Sequence, residues 1–125
     1  MKKILLVDDN EMDLLVAENI LKNKYECIIA KSGKDALNYL CKGNIPNLIL
    51  LDILMPEMNG WETYNKIKGI SILKNVPIAF LTSLDGSHEK MEAEKMGAAD
   101  YLNKPHQADE LLKRIDIIIE KQEKN

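Results

Sequence analysis

The chain has 125 residues, 46% of them hydrophobic and 30% charged, with 17 Lys+Arg against 20 Asp+Glu and a formal net charge of -3. That length suits one domain, able to bury about two thirds of its unfolded surface without a disulfide or metal staple; the composition excludes disorder, collagen and coiled coil. The acidic balance argues against direct nucleic-acid binding, because a surface that tracks phosphates needs a basic excess.

Met1-Lys2-Lys3 before an apolar run has the outline of a signal peptide, but the run ends at Asp8-Asp9. It is too short for a signal or a membrane span. Cys27 and Cys41 match no metal or redox spacing, so a reduced, cytoplasmic single domain is expected. Along the chain, β-rich stretches fall at Lys3–Val7, Tyr25–Ala30, Leu48–Leu51, Pro77–Thr82 and Ala99–Asn103. They are short, nearly continuous and unalternating, the pattern of strands buried on both faces. Between them the period changes to that of a helix. Glu11 to Asn23 carries Val16, Ala17, Ile20 and Leu21 as its apolar stripe, with Asn10 as N-cap. The second helix spans about Lys34 to Cys41 on Ala36, Leu37 and Leu40, the third Gly60 to Gly69, and the fourth Ser87 to Met96, closed by Gly97. The last begins after Pro105, with Leu111, Leu112, Ile115, Ile118 and Ile119 facing the core, and fades into a charged tail from Glu120. Strand and helix alternate five times, which calls for a doubly wound α/β fold: a five-stranded parallel sheet with helices on both faces.

In such a sheet a ligand lies beyond the carboxyl ends of the strands, at the point where strand order reverses. The first strand ends in Asp8-Asp9, the third in Asp52, the fourth in Thr82-Ser83 and the fifth in Lys104-Pro105. Each alone reads as a cap or turn residue; together they bring three carboxylates, a hydroxyl and an ammonium to one rim. Clustered carboxylates either take up protons or bind a cation. An all-oxygen set suits Mg²⁺, while His88 and His106 sit at helix starts and read as surface residues. An ammonium facing that set completes a site for a transferring phosphoryl group, whose oxygens need cations and donors.

Asp8-Asp9, the segment from Leu50 to Gly60 around Asp52, Thr82 and Lys104-Pro105 together resemble the receiver domain of two-component response regulators. The resemblance covers essentially the whole chain. It implies a receiver domain over residues 1–122 with a polar tail at 123–125, and the strand order 2-1-3-4-5, which is that of the chemotaxis member of the family. It further implies that Asp52 is the phospho-acceptor, and that Asp9, Asp52 and the backbone carbonyl of Leu54 bind Mg²⁺ directly, with Asp8 reaching it mainly through water. Lys104 is similar to the family's phosphoryl-contacting lysine, Thr82 to its phosphoryl-gripping hydroxyl, and Tyr101 to the switch aromatic that turns inward when Thr82 moves. Pro105 resembles the proline whose peptide bond is typically cis.

The implied partners are a sensor histidine kinase or phosphotransfer protein upstream and an effector protein downstream, contacted through the fourth helix, fifth strand and fifth helix. Asn59 stands where Asp is commoner before Gly60, and His106 replaces a frequent Phe. Leu54 and Leu84 fill the two variable positions flanking the site with apolar side chains, which predicts slow self-dephosphorylation. Ile117, beside Ile118 and Ile119, points to a phosphorylation-dependent homodimer through the fifth helix.

Other readings share parts of this pattern. A flavodoxin-like cofactor protein needs a phosphate-cradling first loop, and Asp8-Asp9-Asn10-Glu11 repels phosphate. A Mg²⁺-dependent phosphatase of the haloacid-dehalogenase kind needs a second acid two residues after the acceptor, where this chain has Leu54. A phosphorylation-independent pseudo-receiver is the non-catalytic alternative, and Mg²⁺ titration with Trp61 as reporter separates it from the main reading.

Overall fold

A computed structural model describes residues 1–104 and 107–124. The elements alternate in the order β1 (Lys3–Val7), α1 (Glu11–Leu21), β2 (Glu26–Ala30), α2 (Gly33–Cys41), β3 (Leu48–Leu51), α3 (Gly60–Lys68), β4 (Ile78–Thr82), α4 (Ser87–Met96), β5 (Asp100–Asn103) and α5 (Ala108–Glu123), with a 3-10 turn at Ser71–Leu73. All neighbouring strands pair parallel, in the order β2-β1-β3-β4-β5. The chain steps outward from β1 to β2, then returns to the other side of β1 with β3. The order therefore reverses between β1 and β3.

Because successive side chains of a strand point to opposite faces, the sheet feeds two cores. Leu5, Val7, Ile49, Leu51, Ile78 and Phe80 pack with Ala36, Leu40, Tyr64, Ile67 and Ala93 of α2, α3 and α4. Ile4, Leu6, Leu48, Leu50, Ala79 and Leu81 pack with Leu14, Ala17 and Leu21 of α1 and Leu111, Ile115, Ile118 and Ile119 of α5. The three central strands are buried on both faces, as their unbroken apolar runs predict. The edge strand β2 is not: Glu26 and Ile29 are exposed.

The helix starts follow local chemistry. Asn10 Oδ1 accepts from the backbone N–H of Asp13 at 3.0 Å, and Asn59 and Glu62 close a reciprocal capping box. This gives Asn59 a role in starting α3. Gly97 ends α4 at φ 92°, the left-handed cap position. Two expectations need correction. Of the expected stripe Val16, Ala17, Ile20 and Leu21, Ala17 and Leu21 are buried and Ile20 packs half-buried against them, but Leu14 takes the place of Val16, which is 49% exposed. The helix is turned so that Met12, Leu15 and Val16 share its solvent face. Moreover, α5 does not fade at Glu120 but runs to Glu123, held by Gln122 donating to the Asn75 carbonyl and by a Lys2–Glu123 ion pair. Among the described residues, no helix is long and apolar enough to cross a membrane.

Candidate functional site

Parallel pairing continues one residue past the strands and so fixes where the first carboxylates emerge. The Asp8 N–H donates to the Ala30 carbonyl at 3.1 Å, and the Asp52 N–H to the Val7 carbonyl at 2.9 Å. The two residues thus follow the ends of the adjacent strands β1 and β3, where strand order reverses. Asp8 and Asp52 are buried, at 6% and 7% exposure, while Asp9 is exposed. One carboxylate oxygen from each of Asp8, Asp9 and Asp52 lies within 4.8 Å of the others. The Asp52 carboxylate is held on both sides: Oδ1 accepts from the Ile53 N–H at 2.7 Å and Oδ2 from Lys104 Nζ at 3.2 Å.

The loop from Asp52 to α3 is folded tightly against the acceptor strand. The Gly60 N–H donates to the Ile53 carbonyl at 2.8 Å, and a Cβ on Gly60 would stand 2.2 Å from the Asp52 carbonyl oxygen. Only glycine fits there. The loop also turns through Glu57 at φ 68°, a left-handed conformation that costs a non-glycine residue energy.

Lys104 arrives from β5, its N–H donating to the Thr82 carbonyl at 2.9 Å. Its ammonium lies 2.5 Å from Asp8 Oδ2, 2.9 Å from Asp13 Oδ2 and 3.2 Å from Asp52 Oδ2, with the side chain only 12% exposed. Burial works against that charge, but the carboxylates of Asp8, Asp13 and Asp52 outweigh it and hold the ammonium protonated well above the ordinary lysine range. For Asp8 the balance falls the other way. Burial raises its pKa, and the bonds from Lys104 and from the Asn10 N–H only partly offset it. The site is over-supplied with acceptors, and one ammonium is shared among three carboxylates.

Thr82 is fully buried, its Oγ1 accepting from the Leu84 N–H at 3.3 Å. Tyr101 already lies inside, 5% exposed, with its ring centroid 6.4 Å from that of Phe80 and its hydroxyl donating to the Leu84 carbonyl at 2.5 Å. The apolar core around the ring and the Leu84 carbonyl at its hydroxyl satisfy both ends of Tyr101 in this inward position. Asn103 Nδ2 donates to the same carbonyl at 2.7 Å. Leu54, 55% exposed, and Leu84, half-buried, line a groove of about 620 Å³ with Trp61, His88, Glu92 and Met96.

The structure brings together Asp8, Asp9, Asp52 and Lys104, and links Thr82 to Tyr101 through Leu84. Pro105 and His106 lie outside the described residues. Asp13 and Asn103 were not expected at the site. Asp13 gives no sign in the sequence beyond its place one turn into a capped helix, which aims it back at the strand end; Asn103 is marked only by pairing in register with Thr82. The pocket supplies oxygen donors, with no imidazole or thiolate among its three clustered ligands, so the residues fit Mg²⁺.

The chain matches the response regulator receiver domain family over residues 4–116. It is 38% identical to the protein PilG of Pseudomonas aeruginosa over 112 residues, covering 88% of this chain and 82% of that protein. It is also 38% identical to histidine kinase P4 of Formosa agariphila over 117 residues, 94% of this chain but 8% of the kinase, so the chain spans only a small part of that relative. Its fold superposes on a chemotaxis protein of Vibrio cholerae with a TM-score of 0.86 at 30% identity, covering 94% of this chain and 98% of that one. The match runs from β1 into α5 and through the strand ends that build the acid pocket, and the chain belongs to the response regulator receiver family.

Proposed function

We propose that the chain is a phosphorylation-activated signalling switch in which Asp52 accepts a phosphoryl group from the phosphohistidine of a sensor kinase or phosphotransfer protein. The observation that carries this reading is the buried Asp52 carboxylate, gripped on one oxygen by the Ile53 N–H and on the other by Lys104, within 4.8 Å of two further carboxylates. An Asp52 oxygen forms the new P–O bond as the donor's P–N bond breaks, and the electron pair leaves on the imidazole nitrogen. Asp8, Asp9, Asp52 and the backbone carbonyl of Leu54 would hold Mg²⁺, with Asp8 acting mainly through water, and a cation held there would neutralise charge on the phosphoryl oxygens. Lys104 supplies the second positive charge. Thr82 supplies a hydroxyl from the neighbouring strand end.

Output runs through protein contacts on the face of α4, β5 and α5. Tyr101 and Asn103 both hold the Leu84 carbonyl, so any movement of Thr82 toward the phosphoryl group pulls on the loop that leads into α4. Phosphorylation then biases an equilibrium between two arrangements of that loop. Ile117, 53% exposed on α5, adds an apolar contact to this face for a phosphorylation-dependent homodimer, which sedimentation with and without phosphoryl donor tests.

Incubation with acetyl phosphate and Mg²⁺, read by intact mass, should add one phosphoryl group to the wild type and none to Asp52→Asn. Wild-type incorporation in Asp52→Asn overturns the assignment. In the family pattern the positions of Leu54 and Leu84 flank the approach to the acceptor, and neither side chain offers a hydrogen bond to orient an attacking water. A Leu54→Asn, Leu84→Glu double variant should therefore lose its label about tenfold faster, since placing a hydrolytic water is worth at least that much. Unchanged decay removes the shielding argument.

A further inference from the structure

One contact in the pocket has no place in the scheme above. Asp13 belongs to α1, not to a strand end, and it is not among the carboxylates that can converge on one cation. Yet its Oδ2 lies 2.9 Å from Lys104 Nζ, closer than the acceptor Asp52 at 3.2 Å. Its position is fixed by the Asn10 cap, which accepts the Asp13 N–H, and its side chain is 40% exposed at the mouth of the pocket. Lys104 therefore has two kinds of partner: Asp8 and Asp52, which a divalent cation would also claim, and Asp13, which it would not.

We propose that Asp13 is a positioning residue for Lys104, retaining the ammonium at the pocket mouth when Asp8 and Asp52 turn to a cation. Without Asp13, a cation that takes Asp8 and Asp52 leaves a poorly solvated ammonium 12% exposed with no counter-charge, a costly arrangement. With Asp13, the ammonium shifts between carboxylates already within reach and stays ready for the incoming phosphoryl group. Asp13 thus lowers the cost of exchanging one bound cation for another. This inference rests on the proposed Mg²⁺ reading of the site.

The test is Mg²⁺ titration of the intact chain followed by fluorescence of Trp61. It is the sole tryptophan, it packs 4.9 Å from Phe80, and it shares a groove with Ile53 and Leu54, which directly follow Asp52. Asp13→Asn should weaken Mg²⁺ binding about three- to tenfold, in the range of coupling between contacting charged groups, and Asp13→Glu should recover most of the loss. In a Lys104→Met background, which should itself bind Mg²⁺ more tightly, Asp13→Asn should change the affinity by less than about twofold. Glu11→Gln removes a first-turn acid that pairs with Lys31 instead; it should leave the affinity unchanged and keeps the test decisive if Lys104→Met does not fold. Equal weakening by Asp13→Asn with and without Lys104, or by Glu11→Gln, would show plain charge attraction and overturn the proposal. So would an Asp13→Asn titration identical to wild type. A wild type with no saturable Mg²⁺ response overturns the metal reading itself and this inference with it.

Discussion

The two ends of the sheet each carry a cluster of lysine and carboxylate, and they are balanced in opposite senses. At the amino end, Asp116 of α5 accepts from Lys24 Nζ at 2.8 Å and from the buried Tyr25 hydroxyl. Two donors serve one carboxylate. Although desolvation pushes the other way, the bonds from Lys24 and Tyr25 prevail and lower the Asp116 pKa. At the carboxyl end three carboxylates share Lys104, and burial raises the Asp8 pKa. The first cluster fastens α5 to the start of β2 and asks for nothing more. The second is short of positive charge in a buried place. An unmet charge demand costs stability and is how a binding site differs from a structural clamp.

The largest expected effect comes from taking away Lys104, the cation that Asp8, Asp13 and Asp52 share. Lys104→Met should lower stability by about 3 kcal/mol in the absence of divalent ions, the size seen when one partner of a buried ion pair is removed. Part of that loss should return with millimolar Mg²⁺, because binding to the folded state alone is stabilising. Urea unfolding with EDTA and with Mg²⁺ reads both, and a variant as stable as wild type in EDTA would break the comparison. Next, Tyr25→Phe should cost about 1.5 kcal/mol, the value of a hydrogen bond to a charged group, with no dependence on Mg²⁺. A Mg²⁺-dependent loss would mean that the two ends are not independent.

The smallest pair of effects sharpens the contrast by its sign. The folded pKa of Asp116 lies below the ordinary carboxylate value, so its contribution is present above the unfolded pKa and lost as pH falls through the folded one. That of Asp8 lies above; the stability tied to its protonation is complete below the unfolded pKa and lost as pH rises through the folded value. At pH 7 Asp116→Asn should therefore destabilise and Asp8→Asn stabilise, each by about 1 kcal/mol, the scale of an ordinary point substitution. Urea midpoints at pH 7 and at pH 3 check this: both differences should shrink at the lower pH, and like signs at pH 7 would refute the proposed imbalance.

How much of this was legible in the chain depends on whether a feature is local. Strand ends are local: an apolar run stops where it stops, and Asp8, Asp52, Thr82 and Lys104 fall at those ends because a parallel sheet delivers all its carboxyl ends to one rim. The α4 boundaries and the Gly97 cap were equally readable, since backbone conformation there depends on a few neighbours. The rotation of α1 was not. Leu14, Leu15, Val16 and Ala17 are all apolar, and the choice of Leu14 and Ala17 over Val16 was made by packing against β1 and α5. Asp13 was hidden for the same reason, since the phase that buries Leu14 also sets the carboxylate beside Lys104, 91 residues away.

The sequence by itself determined the alternation of strand and helix and which residue types meet at the rim, because these follow from hydrophobic period and from where each run ends; the family followed from the likeness of those rim residues to the receiver pattern. Only the tertiary structure decided how one lysine is divided among Asp8, Asp13 and Asp52, that Tyr101 lies inside with its hydroxyl on the Leu84 carbonyl, and that Asn103 shares that carbonyl. Those are questions of distance between elements far apart in the chain. Electrostatic balance depends on such distances and on burial, and neither exists until the two cores have closed on the sheet.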